Sequence, residues 1–245
     1  MLIAHVSDTH IDNGPRSVER TERVVDYLLG LPRPVDVVLL TGDLADNGRA
    51  DEYERFRELF GRLAVPLLHL PGNHDRREHF VAAGLGPLNR AETVGEAQFA
   101  LLDSSIPGQS EGFIEDSALA WLDSALDGDR PSFVCFHHPP VALGHFHADK
   151  VRQFGEERLE AVIRRHPNVV AVLCGHFHTP TVTTFAGVPL VIAPGVASTL
   201  ILPWEDPDGD LDYDAPPGIA LHNLVDGRLI TTFRSMEGNR SFSHG

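Results

Sequence analysis

Short apolar runs recur along the chain, and most of them stop at a residue with chemistry to offer. Residues 2–6 lead into Ser7-Asp8-Thr9-His10, residues 35–40 into Thr41-Gly42-Asp43, and residues 66–70 into Pro71-Gly72-Asn73-His74-Asp75. Further on, 98–102 lead into Asp103-Ser104-Ser105, which reads as a turn, 132–136 into His137-His138-Pro139-Pro140, and 169–174 into Gly175-His176-Phe177-His178. Uninterrupted runs of this length, bounded by turn formers, predict strands buried on both faces, as in parallel sheets. Between them, apolar residues three and four apart predict helices over 17–29, 51–63, 117–126 and 156–166. Ser17 is the expected N-cap of the first, with Val24, Val25, Leu28 and Leu29 on its buried side and Pro32 and Pro34 ending it. In the second, Tyr53, Phe56, Leu59, Phe60 and Leu63 form a core stripe. Residues 79–97 carry a weaker signal and read as a loop or a short helix.

After residue 180 the rhythm changes to hairpins, 182–185 with 188–192 about Ala186-Gly187 and 219–225 with 229–233 about Asp226-Gly227. The acidic, proline-rich stretch 203–217 reads as a loop and 235–245 as a frayed tail. Strands alternating with helices, followed by hairpins, give the α/β fold class, and 245 residues require no second full domain.

Composition narrows the partners. A net charge of −15 repels nucleic-acid backbone and anionic membrane alike, so neither is an expected partner, and an anionic substrate needs a local positive centre. The two cysteines, Cys135 and Cys174, lie inside apolar runs and read as reduced, buried thiols. With no signal-like start and no run of membrane-spanning length, the expected location is cytoplasmic.

The strand ends then become the central feature. Five of them carry metal-ligating side chains: Asp8 and His10, Asp43, Asn73, His137, and His176 with His178. In extended backbone, residues two apart share a face, so Asp8 converges with His10 and His176 with His178, whereas at most one of His137 and His138 points inward. A cluster of nitrogen and oxygen donors at one sheet edge calls for a cation. Seven donors exceed what one tetrahedral ion takes, and two ions roughly 3.5–4 Å apart, sharing a carboxylate, would use them. A mixed His/Asp/Asn set without thiolate suits Mn or Fe, admits Zn, and suits Mg less well.

These residues resemble the motifs of the calcineurin-like metallophosphoesterases, D-x-H, G-D, G-N-H-[DE], H and G-H-x-H, in order from residue 8 to 178. Ser7-Asp8-Thr9-His10, His137-His138-Pro139-Pro140 and the C-terminal loop and hairpin are similar to the cyclic-nucleotide and glycerophosphodiester phosphodiesterase branch. The resemblance implies a four-layer α/β/β/α sandwich of two mixed sheets, with residues 1–200 as catalytic core and 201–245 completing the same domain. It implies one metal on Asp8, His10, Asp43 and His178 and a second on Asp43, Asn73, His137 and His176, with Asp43 bridging. His74 corresponds to the family's non-ligand histidine, the catalytic residue at the leaving oxygen. The implied activity is hydrolysis of a small phosphodiester, cyclic nucleotide or glycerophosphodiester, through in-line attack by a metal-activated hydroxide.

Asn47 and Asp75 depart from the Arg and Glu of the family's protein phosphatases, which moves the reading away from that branch. A phosphomonoesterase or nucleotidase with the same centre, and a catalytically silent interaction module, stay open. Gly144-His145-Phe146-His147 repeats the letters of residues 175–178 without a preceding strand and reads as a loop with solvated histidines, or alternatively as the substrate mouth. The C-terminal hairpin is a candidate interface for a homo-oligomer.

Overall fold

In the computed structural model, which describes residues 1–236, the first half of the chain alternates as its pattern predicts. Strand β1 (Leu2–Val6) is followed by α1 (Pro15–Leu29), β2 (Val37–Thr41), α2 (Ala50–Phe60) and β3 (Leu67–Leu70). Then come α3 (Arg77–Ala82), β4 (Arg90–Val94), β5 (Ala97–Leu101), the two-residue β6 (Gly112–Phe113), α4 (Asp116–Ala125) and β7 (Ser132–Cys135). A single 3-10 turn (Ala148–Lys150) precedes β8 (Gln153–Phe154), α5 (Glu156–Ile163), β9 (Val169–Cys174), β10 (Thr181–Phe185) and β11 (Val188–Ile192). Short β12 (Thr199–Leu200) and β13 (Leu211–Asp212) and the long hairpin β14 (Gly218–Val225) and β15 (Arg228–Ser235) complete it.

The strands form two principal mixed sheets, ordered β15-β14-β1-β2-β3 and β10-β11-β9-β7-β5-β4. In the first, β1, β2 and β3 run parallel and the β14–β15 hairpin adds antiparallel to β1; in the second, the central strands run parallel and antiparallel partners sit at both flanks. Alternation along single strands shows why the apolar runs are unbroken. Ala4, Val6, Val38 and Leu40 pack with Val24, Val25, Phe56 and Phe60 of α1 and α2. Their neighbours Ile3, Val37 and Leu39 meet Phe99, Phe133, Ala171 and Leu173 of the second sheet. That sheet's other face, Ala100, Val134 and Val172, packs under Leu119, Leu122, Leu159 and Ile163 of α4 and α5. The result is the expected α/β/β/α sandwich, in which the central strands are covered on both sides.

Four local expectations are corrected. Gly14, not Ser17, occupies the N-cap of α1, because Pro15 starts the helix with its preset φ; Ser17 lies in the first turn, bonded to Asp12 and to the Gly14 carbonyl. Residues 79–97 hold the helix α3 and also the edge strand β4, whose Arg90, Glu92 and Thr93 are too polar to form an apolar run. Within 203–217, Leu211 and Asp212 pair with Thr199 and Leu200. Ser235 belongs to β15, and residues 237–245 of the expected tail lie outside the described residues.

Cys135 and Cys174 are free and buried, and burial pushes both thiols up. No helix of the described residues is long and apolar enough to cross a membrane. Beneath the strand ends, β1, β2, β14 and β15 share a buried polar chain: Thr231 to His222 at 2.8 Å, His222 to His5 at 3.1 Å, His5 to Thr41 at 2.9 Å. Burial lowers His222 to about 3, so it is neutral in the fold. Above about pH 6.5 it costs nothing, but below that the unfolded chain takes up a proton that the folded chain refuses. Stability is therefore expected to drop by about 1.4 kcal/mol from this residue at about pH 5.5. Melting temperature followed from neutral to mildly acidic pH should fall less steeply in His222→Gln than in the parent, and parallel curves would count against it.

Candidate metal centre

The turns after β1, β2, β3, β7 and β9 meet at one end of the two sheets. The first two are zipped by backbone: Asp8 N donates to Gly42 O at 3.2 Å, His10 N to Asp43 O at 3.0 Å, and Ile11 N to Leu44 O at 3.1 Å. Convergence of side chains has a different origin from the extended geometry expected. Asp8, His10, Asp43, His176 and His178 all take positive φ, between 42° and 67°, a region that costs L-residues about 1–2 kcal/mol each. Tight left-handed turns, rather than strand pleating, throw these side chains together. The glycines of the motifs make room: Gly42 has φ +96°, and a Cβ there would strike the His137 ring, while one on Gly72 would strike Asp43.

The resulting cluster is buried and short of partners. His10 Nε2 lies 3.5 Å from Asp43 Oδ2 and 3.3 Å from His178 Nε2; His178 Nε2 lies 3.4 Å from Asp8 Oδ1; His137 Nε2 lies 3.3 Å from Asp43 Oδ2. Each ring is held from behind. His137 Nδ1 donates to Thr41 O at 2.7 Å, His10 Nδ1 to Asp46 Oδ1 at 3.1 Å, and His178 Nδ1 shares a hydrogen bond with Ser198 Oγ at 2.8 Å. With Nδ1 committed, Nε2 of His10 and of His137 is the nitrogen turned toward carboxylate oxygens, an arrangement that positive charge between them stabilises. Burial works against charge on His137, yet Asp43 and Asp8 outweigh it and raise this imidazole to about 9. The buried Asn73 Oδ1 and His137 Nε2 have no hydrogen-bond partner. Orphaned polar atoms, two buried carboxylates and imidazoles fixed by their outer nitrogens fit a metal centre in charge, donor type and support.

The sequence model of the calcineurin-like phosphoesterases matches residues 1–180. The chain belongs to this family. It is 32% identical over 256 residues to the glycerophosphodiester phosphodiesterase GpdQ of Enterobacter lignolyticus, covering 96% of this chain and 91% of that protein. It is 35% identical over 189 residues to the 3',5'-cyclic adenosine monophosphate phosphodiesterase CpdA of Pseudomonas aeruginosa, covering 73% and 70%. Among solved structures, a dimetal phosphatase from Danio rerio shares the fold, with a TM-score of 0.73 at 16% identity over 97% of this chain and 96% of that one.

Around the family's metal-binding motifs stand supports that the sequence pattern did not mark. Asp46 receives His10 Nδ1 through its carboxylate and His74 Nδ1 through its backbone carbonyl, the latter at 2.7 Å. Its only signal was its place in the same polar turn as Asp43. Ser198 and Thr41 act on His178 and His137 from distant sequence positions, which no local pattern reveals. Asp43 Oδ1 also accepts the His74 backbone N–H at 2.9 Å, tying the His74 turn to the cluster. Burial would raise Asp43, but His137, His10 and His74 hold it well below the usual carboxylate range.

His176 packs edge-on against His137 at 5.0 Å and tilted against His138 at 4.5 Å between ring centroids. His138 is buried behind His176 and bonds Ser104 Oγ at 2.8 Å. The 103–105 turn thus both closes on itself, Asp103 Oδ1 accepting from Ser105 N and Oγ, and props the site through Ser104.

Over the cluster opens a cavity of about 740 Å³. Asp43, Asn73, His74, His176 and His178 line its floor. Of the 144–147 repeat, His147 lines the cavity, as does Lys150 beyond it. His145 is not solvated: it is buried, donates from Nε2 to Ile201 O at 3.2 Å and accepts at Nδ1 from Ala148 N at 3.2 Å. With both nitrogens used inside the protein, it shapes the loop and nothing else.

Proposed function

We propose that the chain is a dinuclear metal-dependent phosphodiesterase that hydrolyses a small phosphodiester, a cyclic nucleotide or a glycerophosphodiester. The observation that carries this is the buried cluster of imidazole nitrogens facing Asp8 and Asp43 at the floor of an open cavity. The activities for which the two relatives are named, one on each substrate type, support the reading. Asp8, His10, Asp43 and His178 would hold one ion, and Asp43, Asn73, His137 and His176 the other. Mn or Fe fits this donor set best, with Zn admitted. When bound, such a pair polarises phosphoryl oxygens and supplies an activated water at neutral pH.

The chain's own residues divide the remaining work. Asp8 and Asp43 set the charge of the floor. Asn73 offers a neutral oxygen, which limits negative charge where an anionic substrate must approach. His74, positioned by its Nδ1 contact to Asp46 O, is the residue that delivers a proton to the departing alkoxide as the P–O bond breaks. The Asp46 carboxylate lies 3.7 Å from the same Nδ1. The reading takes residues 1–200 as the catalytic core and the remainder as part of the same domain, since β14 pairs with β1 and the 210–213 segment walls the cavity. Exposed Ile230 on β15 marks that hairpin as the candidate self-association face, and the free buried thiols fit a reducing compartment such as the cytoplasm.

A panel with added Mn tests the activity: an aryl phosphodiester, the matching monoester, 3',5'-cyclic AMP, 2',3'-cyclic nucleotides and glycerophosphodiesters. Diesters should be turned over faster than the monoester, and inertness toward every member would sink the proposal in favour of a silent module. His74→Ala is expected to lower kcat about 100-fold while both metals stay bound, the low end of what a positioned proton donor contributes. Undiminished turnover would remove His74 from the mechanism.

A further inference from the structure

One wall of the cavity has a construction that the metal floor does not explain. Tyr213, on the segment after β13, is 55% exposed and lines the cavity together with Arg16 of α1. The Arg16 guanidinium lies over the Tyr213 ring, 5.2 Å from its centroid, so the two planar groups form one stacked unit. Although Tyr213 sits in an irregular segment, its position is fixed. Arg16 donates to the carbonyls of Ala197, at 2.7 Å, and of Tyr213 itself. Arg20, one turn further along α1 and nearly buried, donates to Val196 O at 2.7 Å, Tyr213 O at 3.4 Å and Ala215 O at 2.5 Å. Neither arginine forms an ion pair among the described residues, so both are committed to main-chain carbonyls of this wall. Leu200 and Leu211 continue the wall as an apolar surface.

We propose that the Arg16–Tyr213 pair is a stacking platform that selects phosphodiesters carrying a neutral planar heteroaromatic group, a nucleobase, over those carrying glycerol. This rests on the phosphodiesterase reading and deepens it. Three physical arguments converge. A flat π surface rewards a planar partner and gives a glycerol chain little, because base–aromatic stacking scales with overlapping faces. The guanidinium stacked on the ring places a polarising positive charge at the platform itself, which suits ring nitrogens and carbonyls of a base, whereas the neighbouring Asp12 and Asp210 balance the charge of the wall as a whole. The volume of about 740 Å³ lies in the range of pockets enclosing drug-sized ligands, ~300–1,000 Å³, and leaves room beside the floor for a base. Pinning by five carbonyl contacts means that little ordering is needed on binding.

The test compares substrates on one enzyme. With Mn added, kcat/KM is measured for 3',5'-cyclic AMP, an aryl phosphodiester and glycerophosphoethanolamine, using the parent, Tyr213→Ala and Tyr213→Phe. The expected result is a roughly 10-fold loss for cyclic AMP in Tyr213→Ala, mainly in KM, within the range of single-base stacking. Glycerophosphoethanolamine should change less than about 2-fold, and Tyr213→Phe should restore cyclic AMP hydrolysis because it keeps the ring. An equal loss for all substrates, no loss for any, or a preference of the parent for glycerophosphoethanolamine over cyclic AMP would overturn the proposal. If the parent hydrolyses no diester at all, the failure belongs to the phosphodiesterase reading instead. Circular dichroism of Tyr213→Ala guards against unfolding, and Tyr213→Leu, which keeps an apolar side chain without a π face, should behave as Tyr213→Ala does.

Discussion

Asparagine in place of Asp43 is expected to lower kcat/KM for a phosphodiester by roughly 1,000-fold, about 4 kcal/mol of transition-state stabilisation, and to reduce bound metal from two ions per chain to one or fewer. The size follows from how many contacts one carboxylate serves. Asp43 Oδ2 lies 3.3 Å from His137 Nε2 and 3.5 Å from His10 Nε2, between the two proposed ligand sets, while Oδ1 accepts the His74 backbone N–H. An amide keeps the shape and can keep the bond to His74, so the fold should survive. What it removes is the negative charge that both ions would share. Its NH2 group would also face imidazole lone pairs instead of a carboxylate doing so. Metal analysis of protein purified without chelator, alongside the diester assay, reads both quantities. Two ions and full activity in Asp43→Asn would dismiss the bridging role.

Asp75→Ala is expected to destabilise the fold by about 4 kcal/mol, although Asp75 touches neither proposed metal set. Its buried carboxylate accepts four hydrogen bonds: Leu44 N and Ala45 N at 3.1 Å, Gly72 N at 2.9 Å and Tyr53 Oη at 3.0 Å. Tyr53 Oη in turn accepts Arg76 N at 3.1 Å. One side chain therefore ties the turn after β2, the turn after β3 and helix α2. Alanine strands these donors without water, and each buried unsatisfied group costs roughly 1–3 kcal/mol, partly relieved by relaxation. Denaturant unfolding measures the loss; a difference below about 1 kcal/mol would mean that the turns hold themselves. Activity should fall along with stability, because Asn73 and His74 ride on the turn that Asp75 fixes. Burial and the nearby Asp43 raise Asp75 to about 6, which fits a group held for its hydrogen bonds rather than its charge.

Most of the layer structure was legible because the strands are buried on both faces and therefore read as unbroken apolar runs. Strand β4 was not, since an edge strand facing solvent needs no such run and carries Arg90 and Glu92. The seven donors at the strand ends were legible as a group because their residue types are costly to cluster without a cation. The reason offered for their pairing was incomplete: Asp8 and His10 meet through left-handed turns, which sequence periodicity does not encode.

The sequence by itself determined the order of the buried strands and main helices and the residue types available at each strand end, because burial on two faces and metal-ligand chemistry both leave local marks. Tertiary structure alone decided which partners stand behind those residues. Thr41 behind His137, Ser198 behind His178, Asp75 between two turns and Arg16 over Tyr213 join positions 20 to 197 residues apart. Hydrogen-bond direction and ring stacking depend on distances that only the folded chain sets, and these fix the side-chain tautomers on the floor and the shape of the cavity wall.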